Sequence, residues 1–266
     1  MHCDWIWIHG SAGALGLSNC LTGRSHQLAD PSVVRVEQCN LTVSDAEWRF
    51  AIDHRDEIES HWTARQRANP RIFNGAIHLM SEHQIRRDVF EARFLRTDFA
   101  SYLYWRDQGF ADPMVCDCFA TALIGGECGS VLAARAAKHT LNAGLLVTPG
   151  GMIDERDVAK DGTIALVDYG LRELTEETGI GADDLQRRPG VWISRAGALG
   201  AMVLVYRSKL TDVAVLTRMT RHNARSADVE LDDPMWISRT DQRALAQVPA
   251  YLAQALRDTA STLQAW

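Results

Sequence analysis

Short apolar blocks alternate with polar blocks along the first half of the chain, and their spacing predicts a series of elements. The β-branched run at 33–36 predicts an edge strand. Ile58, Trp62 and Arg65 recur at intervals of three and four, which is the helical period. The first half therefore predicts that edge strand, a helix over 53–68, strands at 76–80 and 93–95, and a helix capped by Thr97 that ends at Gly109.

The second half continues the alternation. A continuous apolar run over 114–124 predicts a strand that turns at Gly125 and pairs with 130–136. Further predicted elements are an extended segment at 143–147, a helix over 168–177 closed by Gly179, one or two strands over 191–205, a short strand at 234–237, and a terminal helix over 241–263 that Pro249 bends or splits. This order of elements predicts an α/β or α+β layered domain.

The chain has 266 residues, of which 46% are hydrophobic, so it can bury a sizeable core without disulfides or structural metals. We expect three regions: a loose leader over 1–30, an N-terminal extension over 31–112 built on the same core, and a catalytic region over 113–266 that includes the terminal helix. Residues 10–16 contain the glycines of a phosphate loop but lack its Lys-Ser or Lys-Thr ending, which excludes a P-loop there.

Charge and hydropathy narrow the classes of partner. The net charge is −6 at pH 7, which does not indicate a nucleic-acid-binding protein. No apolar stretch is long enough to cross a bilayer, and the leader lacks the basic start of an export signal. We therefore expect a cytoplasmic protein with no nucleic-acid partner and no membrane partner, and a homodimer stays open.

The cysteine pattern favours buried thiols. No two cysteines form a Cys-X-X-Cys pair. Cys116 and Cys118 lie two apart in an apolar run, so on a strand their side chains share one face. Such placement favours core thiols in a reducing compartment over a zinc or redox site. The six cysteines are Cys3, Cys20, Cys39, Cys116, Cys118 and Cys128.

Three glutamates mark the predicted helix over 168–177. Glu173, Glu176 and Glu177 are three and four positions apart, so they share one helix face. Their like charges repel one another, and a hard divalent cation such as Mg²⁺, which prefers oxygen ligands, would relieve that repulsion. Taken alone, the cluster is also compatible with a solvated acidic helix face.

The neighbouring positions suit a helix anchored in a core. Leu171, Leu174 and Thr178 fall on the opposite side, where they can pack against other elements. Arg172 lies one turn before Glu176 and can pair with it. Gly170 is unfavourable inside a helix, at a cost of up to about 1 kcal/mol relative to alanine.

The segment 172–180 resembles the second half of the Nudix box, GX5EX7REUXEEXGU, in which U is aliphatic. The run Pro149-Gly150-Gly151 is similar to the start of that box. From Gly151 to Arg172 the chain takes 21 positions where the pattern takes 14, so seven residues are inserted, between 154 and 166. The matched positions are Arg172, Glu173, Leu174, Glu176, Glu177, Gly179 and Ile180.

The insertion displaces the first glutamate of the box. Asp157, six positions after Gly151, is an acidic candidate for that place. Loops of this kind commonly carry specificity, so we expect the segment 155–166 to touch the leaving moiety of a substrate. A surface excursion that touches no ligand is the alternative.

The resemblance implies a mixed sheet sandwiched between helices, with the N-terminal extension packed on it. It also implies hydrolysis of a nucleoside diphosphate linked to another moiety, with Mg²⁺ or Mn²⁺ as cofactor. Glu176 and Glu177 would then be metal ligands, Glu173 a ligand or base, and Arg172 part of the catalytic set.

Further candidates lie outside the helix. Gly150 and Gly151 would lie near the diphosphate, and Phe73, on a predicted turn, is a candidate for contacting a nucleobase. Family members often take a further carboxylate from elsewhere, and Glu230 and Asp232 are candidates, with a solvated acidic loop as the alternative reading.

The substrate class stays open between nucleotide sugars and coenzyme A compounds. A rival function is a Nudix-fold protein that binds or senses a nucleotide and hydrolyses it weakly or not at all. A second rival is an α/β protein with an accidental acidic helix. Mg²⁺-dependent turnover of a nucleotide panel distinguishes the three.

Overall fold

A nine-stranded mixed sheet and a three-stranded sheet organise the computed structural model, which describes residues 32–259. The strands are β1 Ser32–Val36, β2 Gln38–Ser44, β3 Ala76–Arg86, β4 Val89–Asp98, β5 Asp117–Gly125, β6 Val131–Ala136, β7 Leu146–Val147, β8 Gly150–Gly151, β9 Leu185–Arg187, β10 Val191–Ala196, β11 Leu199–Ser208 and β12 Leu231–Ile237. The α-helices are α1 Arg49–Asp53, α2 Arg55–Ala68, α3 Phe99–Asp107, α4 Leu166–Thr178, α5 Asp212–Asn223, α6 Gln242–Leu245 and α7 Ala250–Asp258.

The large sheet has the order β1-β10-β11-β5-β6-β12, and the short strands β7, β8 and β9 pair with β6, β5 and β11. At its centre β11 and β5 run parallel, in register from Leu199 opposite Asp117 to Arg207 opposite Gly125. The other pairings in this sheet are antiparallel. The sheet is therefore mixed.

The small sheet has the order β2-β4-β3, with β2 parallel and β3 antiparallel to β4. Strands β3 and β4 form a hairpin whose two turn residues, Arg87 and Asp88, have positive φ angles of 50° and 63°. Reciprocal backbone hydrogen bonds of 2.8 and 2.9 Å join Met80 to Cys116, and the amide of His78 donates to the Ile153 carbonyl. These bonds attach the small sheet to the segments beside the large sheet.

Helices cover both faces of the large sheet. Alternate residues of β5 face opposite sides of the sheet. Ala120 and Ala122 accordingly pack in one core cluster, and Leu123 packs in another. The first cluster also contains apolar residues of α4, α5 and the small sheet, and the second contains those of α7. The structure is thus an α/β sandwich with a mixed sheet, as predicted.

Several predicted elements are confirmed. Strand β1 lies at the edge of the large sheet, paired with β10. Helix α4 ends at Gly179, which has the left-handed φ of 67°. Pro249 splits the predicted terminal helix into α6 and α7, although residues 260–263 lie outside the described residues. The predicted leader also lies outside them.

Other predictions need correction. The cap of α3 is Asp98 and not Thr97, because the Asp98 carboxylate accepts a 2.8 Å hydrogen bond from the Ser101 amide. The strands predicted at 76–80 and 93–95 are the longer β3 and β4, and β2 was not predicted at all. The strand predicted over 114–124 begins only at Asp117.

The sulfur atoms of Cys116 and Cys118 both lie beside Gly200, and both residues are buried. Burial raises the pKa of the Cys118 thiol well above its usual value. These properties suit core thiols. Within the part of the chain that the structure describes, no helix is both long and apolar enough to cross a membrane.

Candidate active site

Helix α4 is fixed against the large sheet by one apolar side. Leu174 and Thr178 have no exposed surface, and the Thr178 hydroxyl donates a hydrogen bond to the Leu174 carbonyl. Gly170 lies so close to β11 that a Cβ atom there would stand 2.5 Å from Cδ1 of Leu204. The glycine that weakens the helix is therefore what allows the helix to approach the sheet.

The predicted start of the box meets the glutamates of α4. Gly150 and Gly151 form β8, which pairs with β5 opposite Thr121 and Ala120. The Gly150 amide donates a 2.8 Å hydrogen bond to Oε2 of Glu177. Burial raises the pKa of Glu177 well above its usual value, and that hydrogen bond opposes the shift.

Glu173 lies under the second glycine. A Cβ atom on Gly151 would stand 2.3 Å from Oε2 of Glu173, so a larger residue there would displace the Glu173 carboxylate. Burial raises the pKa of Glu173 from 4.5 to about 7, and the positive charge of Arg172 opposes this rise. Tyr169 donates its hydroxyl to the Gly151 carbonyl and accepts the Ala120 amide, which fixes β8 beside the helix.

Arg172 joins the acidic residues of this region. Its guanidinium donates to Asp157 at 2.8, 2.9 and 3.1 Å and to Glu176 at 2.9 Å. One of its nitrogens also lies 2.7 Å from Oε1 of Glu173. The Asp157 side chain is only 2% exposed, so Arg172 neutralises a buried charge.

A cleft of about 170 Å³ opens along the glutamates of α4. It brings Glu173, Glu176 and Glu177 together with Glu230. Asp232 and Phe73 do not line it, and the Phe73 side chain is 77% exposed. The full lining is Glu173, Glu176, Glu177, His222, Asn223, Ser226, Asp228, Val229 and Glu230.

Glu230 is an exposed residue of the cleft lining. Partial removal from water raises its pKa, and the charge of Asp228 raises it further, while His139 opposes the shift. Glu177 responds to the same arrangement, because Glu230, Glu173 and Glu176 all act to raise its pKa. The carboxylates therefore form one electrostatic unit that a cation would stabilise.

Two sets of carboxylates are candidates for holding a divalent cation. One is the cleft set, whose lining contains no lysine or arginine. The other is Asp154, Asp157 and Glu173, whose oxygens lie within 4.8 Å of one another. Arg172 contacts all three carboxylates of the second set, so an additional cation there would meet a like charge, and it also contacts Glu173 and Glu176 of the cleft set. Both sets offer the oxygen ligands that Mg²⁺ takes, and Glu173 belongs to both.

The inserted segment pairs with strand β2 through its second half. The Gly162 carbonyl accepts the Val43 amide at 2.8 Å, and the Ile164 amide donates to the Leu41 carbonyl at 3.0 Å. The insertion thus adds a short hairpin to the free edge of β2. None of the residues 155–166 lines the cleft, but Arg156 lies 3.4 Å from Oε1 of the cleft residue Glu176, so contact of this segment with a leaving moiety stays a prediction.

Sequence reasoning did not identify the residues around Asp228. Arg71 donates to Asp228 at 2.8 Å, and Nε2 of His139 lies 3.0 Å from the same carboxylate oxygen. His222 of α5 also lines the cleft, and its Nε2 lies 2.7 Å from the Glu176 carbonyl. These residues belong to no motif, so only the folded structure brings them to the site.

No protein-family model matches the sequence, and no curated protein matches it. Among solved structures, a C. elegans Ap4A hydrolase is 15% identical and covers 56% of this chain and 98% of its own, with a TM-score of 0.39. A NUDIX hydrolase from Nitrosomonas europaea is 15% identical over 55% of this chain and 89% of its own, with a TM-score of 0.37. NrtR from Shewanella oneidensis, solved with a 27mer DNA, is 20% identical over 55% and 60%, with a TM-score of 0.35. Similarity at this level assigns no activity, so the chain's own residues carry the proposal.

Proposed function

We propose that this protein is a Nudix-type hydrolase that uses Mg²⁺ or Mn²⁺ to cleave the diphosphate linkage of a nucleoside diphosphate joined to another moiety. The observation that carries the proposal is the cleft that gathers Glu173, Glu176, Glu177 and Glu230 beside Gly150. Arg172 and Arg71 contact three of the five lining carboxylates, Glu173, Glu176 and Asp228. A bound cation would offset the negative charge of the others, Glu177 and Glu230, and so let an anionic substrate approach.

The chain's own residues divide the remaining work. Glu173, Glu176, Glu177 and Glu230 would hold the cation, which when bound would neutralise diphosphate charge and acidify water. Gly150 orients Glu177 through its amide. Arg172 holds Oε1 of Glu173.

Glu173 is also the proposed proton acceptor. Burial raises the pKa of Glu173 to about 7, and a bound cation would lower it, which would keep the carboxylate ionised and able to accept a proton. Because Arg172 binds Oε1, the proton of the attacking water would pass to Oε2. Asp157 supports this arrangement from the far side of Arg172.

The test is turnover by the full chain with Mg²⁺, with Mn²⁺ and with EDTA, on a nucleotide sugar and on a coenzyme A ester. Glu176→Gln and Glu177→Gln should each lower kcat by about 100-fold or more. They should also weaken Mn²⁺ binding measured by calorimetry, while the melting temperature is retained because a like charge has been removed. Glu82→Gln, on the exposed surface of β3, is the matched control.

Two outcomes would overturn the proposal. Parental turnover in both cleft variants would show that the carboxylates are not catalytic. Binding of nucleotides without turnover in any metal would favour the rival, a sensing protein with the same fold.

A further inference from the structure

Three distant segments meet at Asp228, a residue of the cleft lining. Arg71 comes from the loop after α2, and His139 from the loop after β6. Arg71 donates to Asp228 at 2.8 Å, and its other terminal nitrogen lies 3.5 Å from Nδ1 of His139. Asn69 donates its side-chain amide to the His139 carbonyl at 3.2 Å. The loop after α2 therefore reaches the lip of the carboxylate cleft.

This loop is fastened on both sides of Phe73. At its start the Asn69 carboxamide oxygen accepts the Arg71 amide at 3.2 Å. At its end the Asn74 carboxamide oxygen accepts the Ala100 amide at 2.8 Å. Phe73 nevertheless belongs to none of the core clusters and is 77% exposed. A large apolar ring is thus displayed to solvent on a fixed loop, two residues from a guanidinium group.

We propose that Arg71 and Phe73 form the nucleotide-recognition element of the cleft, with Arg71 binding a phosphate of the substrate and Phe73 stacking on its base. This inference rests on the proposed function. The two nitrogens of a guanidinium group can hydrogen-bond two phosphate oxygens at once. Any of the nucleobases can stack on an aromatic ring.

The charged residues around the cleft support separate places for the cation and for the nucleotide. Arg172 and Arg156 contact the glutamates of α4. Arg71 and His139 contact the lining at Asp228 instead. The Arg71 side chain is 54% exposed, so part of its fork is open to a ligand while Asp228 orients it. The exposed ring of Phe73 and the exposed fork of Arg71, two residues apart, would suit the base and a phosphate of a nucleotide.

The test is the binding of ADP and of inorganic pyrophosphate to the full chain with Mg²⁺, measured by calorimetry. Phe73→Ala should weaken ADP binding about tenfold and leave pyrophosphate binding unchanged. Arg71→Ala should weaken both ligands about tenfold, and Arg71→Lys should restore only part of the loss because the fork is gone. Met114→Ala and Arg49→Ala, both highly exposed elsewhere, are the matched controls.

Asp228→Asn separates recognition from a structural role. If Arg71 recognises phosphate, removing its carboxylate partner frees the fork and ADP binds at least as tightly as in the parent. If the ion pair only holds the loop, Asp228→Asn and Arg71→Ala both lose ADP affinity and melting temperature together, which overturns the inference.

The two proposals fail differently. If the parent hydrolyses no diphosphate substrate, but Arg71→Ala and Phe73→Ala each bind ADP more weakly than the parent, the proposed function is contradicted and this inference is not. A chain that hydrolyses substrate while both variants bind ADP as the parent does would contradict this inference alone. Failure of the parent to bind ADP also overturns the inference.

Discussion

Arg172 donates three hydrogen bonds of 2.8 to 3.1 Å to Asp157, although 15 positions separate the two residues in the sequence. Asp157 is the sixth residue after Gly151, which is the place that the Nudix pattern gives to its first glutamate. The seven extra residues therefore fall after Asp157, in the hairpin that joins β2.

This pair yields a prediction on stability. Arg172→Gln should lower the free energy of unfolding by about 2 to 3 kcal/mol, because it leaves the buried Asp157 carboxylate without its charged partner. Adding Asp157→Asn should recover much of that loss. Urea denaturation measures both, and Arg156→Gln, whose side chain is 60% exposed, should change it by less than about 0.5 kcal/mol. Equal losses in the single and double variants would contradict the pairing.

A second prediction concerns Gly170. Gly170→Ala improves helix propensity by about 1 kcal/mol, but its methyl group would meet the fully buried Leu204. We expect overpacking to prevail and the protein to lose about 1 to 3 kcal/mol in guanidinium denaturation. The loss in the Gly170→Ala, Leu204→Ala double variant should be smaller than the sum of the two single losses, because the shorter side chain leaves room for the added methyl group. Gly181→Ala is the control, since nothing lies within 4 Å of a Cβ there.

A third prediction concerns pH. Burial raises the pKa of Asp117 from 3.8 to about 6, although Tyr102 donates its hydroxyl to that carboxylate at 2.7 Å. The folded state therefore binds the proton more tightly than the unfolded state, so the Asp117 contribution to stability falls as pH rises from about 4 to 6.

Asp117→Asn removes that titration. Relative to the parent, the variant should gain about 2 to 3 kcal/mol of unfolding free energy between pH 4 and pH 7. Tyr102→Phe should move the parent's transition to higher pH, because the hydrogen bond that lowers the pKa of Asp117 is lost. If the unfolding free energies of the parent and of Asp117→Asn changed with pH in the same way, the raised pKa of Asp117 would be contradicted.

A fourth prediction concerns the inserted hairpin. Val158 and Ile164 are bridge partners, so residues 159–163 can be replaced by Asn-Gly, which suits a two-residue turn. The change removes the Gly162 carbonyl that accepts the Val43 amide and uncovers the edge of β2. The melting temperature should fall, while the ratio of kcat/KM for two substrate classes stays constant. A changed ratio would return the insertion to substrate recognition.

The sequence predicts helix α4 well because the signals for this helix are local. The glutamate spacing, Gly179 and the apolar side of α4 all lie within one helix, and each is found where expected. Strand β2 escaped prediction because its alternation is weak: among its seven residues only Leu41 is buried. The β3–β4 turn escaped too, since Arg87 and Asp88 adopt positive φ without the glycine or asparagine that marks such turns.

The ion pair between Arg71 and Asp228 could not be predicted from the sequence for a different reason. Arg71 and Asp228 are 157 positions apart, and neither belongs to a recognisable spacing. The order of residues along the chain carries no signal for contacts at that separation. Phe73, in contrast, was identified as a turn aromatic, and its exposure keeps it a prediction for nucleobase contact.

The position of β1 has a consequence for modularity. This strand belongs to the N-terminal stretch of the chain, yet it completes the large sheet by pairing with β10 from Ser32 to Val36. A fragment that began at residue 113 would leave the β10 edge bare, and bare strand edges recruit other chains. The two regions therefore cannot be exchanged as independent cassettes in a chimera, and engineering of the cleft must carry the first strand with it.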